Sequence, residues 1–94
     1  MKYLGKKVKE IRESKRLLIR QVADYLEIDY TTISRVENGK RGLSRGHVIK
    51  LAKYFNVPEE ELLSLWLCDR VLRTVGDDPM ASKGIQQALN KINN

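Results

Sequence analysis

Hydrophobic positions recur along the 94-residue chain at intervals of three and four, which is the period of an α-helix. Leu4, Val8 and Ile11, for example, fall on one face of a first helix, and no pair of segments has the alternation and turn residues of a β-hairpin. The pattern therefore predicts an all-α protein. It divides into five helices within residues 1–75 and an amphipathic extension within residues 76–94.

Only three residues, "EID", separate the second predicted helix, about 19–26, from the third, about 29–38. We expect Asp29 to cap the third helix by accepting a backbone N–H of its first turn with the carboxylate. Ile33 and Val36, at i and i+3, form the inward pair of this helix. Two helices joined by so short a turn, the second with polar residues outward, are typical of a helix-turn-helix.

The fifth predicted helix, which opens at Pro58, is apolar on nearly every side as far as residue 75. A terminal helix of this kind has to be covered on more than one side. A break at "GDDP" separates it from the last predicted helix, 79–92. Cys68 lies within the apolar run, where we expect a buried and inert thiol; as the only cysteine, it excludes an internal disulfide.

Positive charge is concentrated in the front of the chain. Residues 1–57 carry 14 Lys/Arg and 6 Asp/Glu, a net charge of +8, whereas residues 58–94 carry 4 and 6, a net charge of −2. Such clustering favours a polyanionic partner such as nucleic acid, although a solvated surface explains charge alone equally well. No apolar run approaches the ~20 residues of a membrane-spanning helix. Because no signal-peptide core follows the first lysines, we expect a cytoplasmic protein.

The segment "KVKEIRESKRLLIRQVADYLEIDYTTISRVENGKRGLS", followed by "VIKLAKYFNVPEEELL", resembles the DNA-binding domain of the phage-repressor (Xre-type) helix-turn-helix family, which includes restriction–modification controller proteins. The matching features include Arg12 on the first helix, Ala23 within the second, and "ISRVENGKR". The resemblance covers residues 3–65. It implies a five-helix repressor-like domain, here with an extended fifth helix and an additional C-terminal helix. It also implies a sequence-specific transcriptional regulator, most often a repressor.

The resemblance implies that the third helix is a recognition helix lying in the major groove of double-stranded DNA. Once Ile33 and Val36 face the core, four side chains face away from it and are predicted to read bases: Tyr30, Thr31, Ser34 and Arg35. An arginine at such a position can donate to both O6 and N7 of guanine. The alternative is an ordinary solvated helix face.

Further side chains are predicted to bind backbone phosphates, which position a domain without reading sequence. Arg20 and Gln21 are two of these, because the first-turn N–H groups of helix 2 already favour an anion. The resemblance also implies that Arg12 and Glu37 form a partly buried ion pair, which holds the recognition helix against helix 1. It implies four more phosphate contacts beside the recognition helix: Asn38, Lys40, Arg41 and Arg45.

The sequence departs from the family pattern in three places. Leu18-Ile19 replaces Ser-Gln at the start of helix 2, which removes a cap and a frequent phosphate clamp. Glu27 replaces the turn glycine, so a non-glycine residue is expected at positive φ, at a cost of about 1 kcal/mol. Leu43 replaces the proline after "GKR". Together these changes indicate a divergent branch of the family.

Helix-turn-helix proteins of this size usually bind palindromic or pseudo-palindromic sites as homodimers, with half-sites ~34 Å apart. The alternative is that helix 79–92 folds back and covers the apolar stripe of its own subunit. A second hypothesis for function is a protein-interaction module, for example antitoxin-like, that uses the Trp66 region, with DNA binding secondary. The residues predicted for the dimer interface are Leu65, Trp66, Val71, Leu72, Ile85 and Leu89.

The sequence contains no pattern typical of an enzyme or of a metal site. No Ser/His/Asp or Cys/His set, paired-carboxylate cleft or phosphate-binding loop is present. His47 is the only histidine, and it has no second ligand at metal-binding spacing. We therefore expect no catalytic activity, no cofactor and no bound metal.

Overall fold

Six α-helices connected by short turns form the part of the chain that the computed structural model describes, residues 2–94. They are α1 Lys2–Ser14, α2 Ile19–Leu26, α3 Tyr30–Glu37, α4 Arg45–Phe55, α5 Glu59–Val75 and α6 Ala81–Ile92. These residues contain no β-strand. The predicted fold class is confirmed: five helices form a repressor-like unit, α5 extends beyond it, and α6 is added.

One apolar core holds the first five helices together. α5 packs against α1 and α4, while α3 packs against α1 and α2. The helical periodicity identified the inward faces correctly, because the side chains at those spacings are buried: Leu4, Val8, Ile11, Val22, Ala23, Leu26, Ile33, Val36, Val48, Leu51, Ala52, Phe55 and Leu62. The core therefore holds α3 against α1 and α2 and leaves one of its faces outward.

The turn between α2 and α3 has the backbone expected from the sequence. Glu27 adopts the left-handed conformation with φ 57°, and the closing N–H groups donate to the carbonyls of Ala23 and Asp24. Gly39, just beyond α3, is also left-handed, with φ 74°. A tight turn thus forms at Glu27 without the glycine that is usual in the family.

The prediction that the Asp29 side chain caps α3 is wrong. Its carboxylate accepts no hydrogen bond from the first turn of α3. The backbone carbonyl of Asp29 accepts instead, from the N–H groups of Thr32 at 2.9 Å and Ile33 at 3.4 Å. At the start of α4, by contrast, a side chain does cap the helix, because the hydroxyl of Ser44 accepts from the N–H of His47 at 3.1 Å. The start of α3 is therefore held by the backbone and by packing rather than by a capping side chain.

The N-terminus of α1 is capped by a residue far away in the sequence. Asp69, on α5, is only 4% exposed. Its two carboxylate oxygens accept from the N–H of Tyr3 at 3.1 Å and of Leu4 at 2.9 Å. These N–H groups have no partner within α1, so a carboxylate from α5 satisfies them and adds a favourable interaction with the helix dipole. This contact ties the first helix to the fifth.

The distal half of α5 and the whole of α6 lie outside this core. No residue of α6 is buried, and Leu67, Val71 and Leu72 of α5 are exposed. Cys68 is exposed as well, so the expectation of a buried thiol is wrong. The two helices leave an apolar groove between them, lined by Leu67, Arg70, Val71, Thr74, Val75, Gly84, Ile85 and Ala88. Within residues 2–94, α6 therefore does not close over the apolar stripe of α5.

Candidate nucleic-acid interface

The outward face of α3 carries the four side chains predicted to read bases. Tyr30 is 55% exposed, Thr31 and Arg35 are exposed, and Ser34 is half-buried. Their orientation follows from Ile33 and Val36, which are fully packed in the core on the opposite side. The arrangement places a phenol ring, two aliphatic hydroxyl groups and a guanidinium on the outward face.

An ion pair holds the end of α3 against α1. The Nε of Arg12 donates to Glu37 Oε2 at 2.7 Å, and its Nη2 donates to Oε1 at 3.1 Å. The third guanidinium nitrogen, Nη1, donates to the carbonyl of Leu17 at 2.8 Å. The hydrogen bond from Glu37 raises the pKa of Arg12, and the partial burial of the group opposes this shift. Both groups are engaged inside the fold, which is the structural role that the resemblance implied.

The backbones of α1 and α3 approach closely at Gly5. A Cβ atom added to Gly5 would collide with the carbonyl oxygen of Val36 and lie 3.3 Å from the Cα of Glu37. Only glycine lacks the side chain that would separate the helices here. The hydrophobic pattern alone did not single out this position. The available signal was a glycine that lies between two inward-facing residues, Leu4 and Val8. Gly5 and the Arg12–Glu37 pair therefore both hold α3 against α1.

The segment that follows α3 is strongly basic. Residues 38–58 contain five Lys/Arg and no Asp/Glu. Asn38, Lys40, Arg41 and Arg45, the predicted phosphate contacts of this region, are all exposed. Leu43, where the family has a proline, is buried, and its carbonyl accepts from the indole N–H of Trp66 at 2.7 Å. The loop between α3 and α4 is thus anchored at its centre while its cations face outward.

The start of α2 contributes two more predicted phosphate contacts on the side of Tyr30. Arg20 and Gln21 are exposed, and a hollow lined by Arg12, Leu18, Ile19, Arg20 and Tyr30 lies between α2 and α3. The side-chain oxygen of Gln21 accepts from the N–H of Leu18 at 2.8 Å. This bond satisfies the N–H of the N-cap residue, while the N–H of Gln21 donates to the backbone carbonyl of Leu18 at 3.0 Å. The amide nitrogen of Gln21 is then the group left to donate to a phosphate.

The residues predicted for a dimer interface differ in their exposure to solvent. Trp66 is only 9% exposed and packs in the core of its own subunit, so it does not lie on an outer face as expected. Leu65 is half-buried. The other four remain accessible at the groove between α5 and α6 or beside it, with exposures of 44% for Val71, 43% for Leu72, 37% for Ile85 and 48% for Leu89.

No group of three or more His, Cys, Asp or Glu side chains is arranged to hold a metal ion within residues 2–94. None of the six helices there is both long and apolar enough to cross a membrane.

Comparison with known proteins identifies the segment that carries this geometry. Residues 8–62 match the family model HTH_3, described as helix-turn-helix. Over 65 residues the chain is 40% identical to the uncharacterized HTH-type transcriptional regulator RghRB of Bacillus subtilis (strain 168), covering 68% of this chain and 47% of that protein. Over 64 residues it is 38% identical to the HTH-type transcriptional repressor RghR of the same strain, covering 67% and 47%. The chain thus spans about half the length of these relatives.

The fold is similar to that of a solved controller protein. The match is to the crystal structure of the restriction–modification controller protein C.AhdI from Aeromonas hydrophila, with a TM-score of 0.59 and 29% sequence identity. It covers 63% of this chain and 89% of that one. The family match includes α2, α3 and the turn between them, which are the elements that build the outward face described above. The chain therefore belongs to the helix-turn-helix family of transcriptional regulators.

Proposed function

We propose that this protein binds double-stranded DNA in a sequence-specific manner, as a homodimer, and represses or controls transcription in the cytoplasm. In this proposal α3 enters the major groove, where Tyr30, Thr31, Ser34 and Arg35 contact base edges. The observation that carries it is the combination of a rigidly seated α3 with an outward face of unpaired polar groups between two basic regions.

Basic and amide side chains on either side of α3 have the separate task of binding phosphates. Arg20 and Gln21 lie on the Tyr30 side, and a second group follows the C-terminal end of the helix: Asn38, Lys40, Arg41 and Arg45. Contacts on both sides of an inserted helix fix its register along the groove without reading sequence. Each neutralised phosphate also releases counterions, so we expect affinity to fall steeply with salt.

Dimerisation is proposed at the exposed apolar surface of α5 and α6. Val71, Leu72, Ile85 and Leu89 give this surface its apolar character, and Trp66 is left out because it is buried in the subunit. An exposed patch of this kind favours association with another protein surface. A twofold dimer would place two recognition helices on a palindromic or pseudo-palindromic site.

The same groove favours one alternative function, a protein-interaction module in which a different partner, for example a toxin, covers α5 and α6. DNA binding would then be secondary. The two functions differ in their response to DNA, because only the first requires affinity that depends on both the sequence and the salt concentration.

The experiment that tests the proposal is selection of bound sequences from a random duplex pool, with sedimentation of the selected complex. We expect a symmetric consensus and two protein chains per site. Binding that ignores both salt and sequence would contradict the DNA-binding proposal. A sequence-specific complex with one chain per site would contradict only dimerisation.

Two variants test the division between base and phosphate contacts. Arg35→Ala should relax the preference at one base position of each half-site, at a cost of about 1–3 kcal/mol on the preferred sequence. Lys40→Ala should weaken binding to all sequences similarly and reduce the salt slope by roughly one. The two roles are distinguished by measuring the affinity of each protein variant for the selected duplex and for duplexes with single base-pair changes. A uniform loss with both variants would contradict the assigned roles.

A further inference from the structure

Two arginines from different helices converge on the only tryptophan of the chain. The Cζ of Arg70 lies 4.8 Å from the centroid of the Trp66 ring, and the Cζ of Arg45 lies 6.0 Å from it. Arg45 is the first residue of α4, whereas Arg70 lies one turn beyond Trp66 on α5. The fold therefore joins an arginine of the C-terminal part of the chain to the basic segment that follows the recognition helix.

The ring between these arginines is fixed in place. Trp66 is 9% exposed, and its Nε1–H donates to the carbonyl of Leu43 at 2.7 Å. A guanidinium packed on an indole face is held by the ring electrons, yet its N–H groups point outward in its own plane and stay free to donate. Trp66 thus limits the movement of both arginines without consuming their hydrogen-bond donors.

Neither arginine is neutralised by a carboxylate within residues 2–94. The ion pairs found there join Lys7 to Glu61 and Arg12 to Glu37. The carboxylate next to Arg70 in sequence, that of Asp69, is buried and already accepts two backbone N–H groups of α1. Both arginines therefore keep a positive charge that a bound anion would offset.

We propose that Arg45 and Arg70, held by Trp66, form a second phosphate-binding site, which grips the DNA backbone outside the contacts of α3. The site rests on the proposed function, since its ligand is a phosphate of the DNA that α3 reads. Arg70, which has no role in the helix-turn-helix pattern, is a binding residue in this site. Trp66 is a positioning residue that acts through the two arginines.

The matched variants Arg70→Gln and Arg73→Gln test this site. Each removes one positive charge from an exposed position of α5, but only Arg70 is packed on Trp66. With the selected duplex, we expect Arg70→Gln to lower the salt slope by about 0.9, the contribution of one phosphate. Its affinity deficit relative to wild type should therefore shrink roughly three- to fourfold between about 50 and 200 mM salt. Arg73→Gln should keep the wild-type slope.

Neutral methylphosphonate groups, placed one at a time along the same duplex, identify the phosphate directly. At one position per half-site, the substitution should weaken DNA binding by wild type and by Arg73→Gln. It should have little further effect on DNA binding by Arg70→Gln. Thermal unfolding, followed by the fluorescence of the single tryptophan, checks that each variant keeps the fold.

Equal salt slopes for the two variants, with no methylphosphonate position coupled to Arg70, would overturn the second site while leaving the proposed function intact. In that case Arg70 serves only to stabilise α5 through its contact with Trp66. If wild type itself shows no sequence-specific binding, the proposed function fails, and this site fails with it.

Discussion

Arg12 and Glu37 show how two charged residues hold α3 in place without being part of its outward face. Their side chains are only 12% and 4% exposed, and the guanidinium contacts both carboxylate oxygens. A buried pair of this geometry contributes little net stability compared with apolar residues, but the loss of one member leaves an uncompensated charge. The pair therefore fixes the position of α3 more than it stabilises the domain.

We expect Glu37→Ala to lower the free energy of unfolding by about 3–5 kcal/mol, because Arg12 is left buried without its partner. The double variant Arg12→Met/Glu37→Leu should recover most of this loss. Urea unfolding at neutral pH measures both effects. Equal stability of Glu37→Ala and wild type would contradict the structural role.

The raised pKa of Arg12 fixes the sign of any pH effect from this group. A raised pKa means that the charged form is favoured in the folded state, so the stabilisation is complete at any pH below the ordinary pKa of arginine. It is lost only as the pH rises through the raised value. Arg12 therefore adds no pH dependence to stability in the physiological range.

Asp69 is the second residue whose importance depends on a distant contact. Asp69→Ala would leave the N–H groups of Tyr3 and Leu4 without their acceptor, so we expect a loss of about 1–3 kcal/mol. The exposed Asp77 provides a matched control, and Asp77→Ala should change stability by less than about 0.5 kcal/mol. Chemical denaturation gives both values. Faster hydrogen exchange at the start of α1 in the Asp69 variant would localise the effect.

At the scale of the element, α3 is a helix that its own sequence does not strongly favour. Its eight residues, "YTTISRVE", include β-branched and aromatic side chains that lose rotamer freedom in a helix. No side chain caps its first turn. Packing of Ile33 and Val36, the ion pair at Glu37 and the close approach of α1 impose the helix, which leaves the outward positions available for binding.

The close approach at Gly5 gives the sharpest test of this account. Gly5→Ala should destabilise the protein by about 1–3 kcal/mol, because the new methyl group collides with the backbone of Val36 and α3 has to move. Gly84→Ala, in exposed α6 with nothing within 4 Å, should have the opposite sign and stabilise by up to about 1 kcal/mol.

Thermal unfolding compares the two alanine variants, and binding to the selected duplex shows whether α3 has shifted. If Gly5→Ala stabilises the protein as Gly84→Ala does, α1 and α3 do not meet as closely as described.

At the scale of the whole molecule, two surfaces of different character lie in different parts of the chain. Residues 1–57 carry a net charge of +8 and contain the outward face of α3, whereas residues 58–94 carry −2 and contain the groove between α5 and α6. This separation allows one surface to meet a polyanion while the other meets protein.

Val71→Glu places a charge at the groove and should shift the proposed dimer toward monomer in sedimentation equilibrium. Because dimerisation links two half-sites, affinity for the full site should fall while the preference within a half-site is retained. Ile92→Glu, at the exposed end of α6 and outside the groove lining, is the control and should leave the dimer intact. A monomeric wild-type protein would contradict the proposed assembly.

The sequence by itself determined the helices, the inward faces of α1 to α4 and the family. The inward faces follow from periodicity, so Ile33 and Val36 could be placed inward without coordinates. The positive φ of Glu27 was implied by the resemblance to the family, in which a glycine occupies this turn position. Tertiary structure alone decided which polar and aromatic groups meet. Asp69 reaches the start of α1 across 65 residues, Trp66 turns inward to the carbonyl of Leu43, and Gly5 admits the backbone of Val36. Such contacts depend on how the helices cross. The spacing of residues along one helix does not show which residues of another helix its side chains will contact.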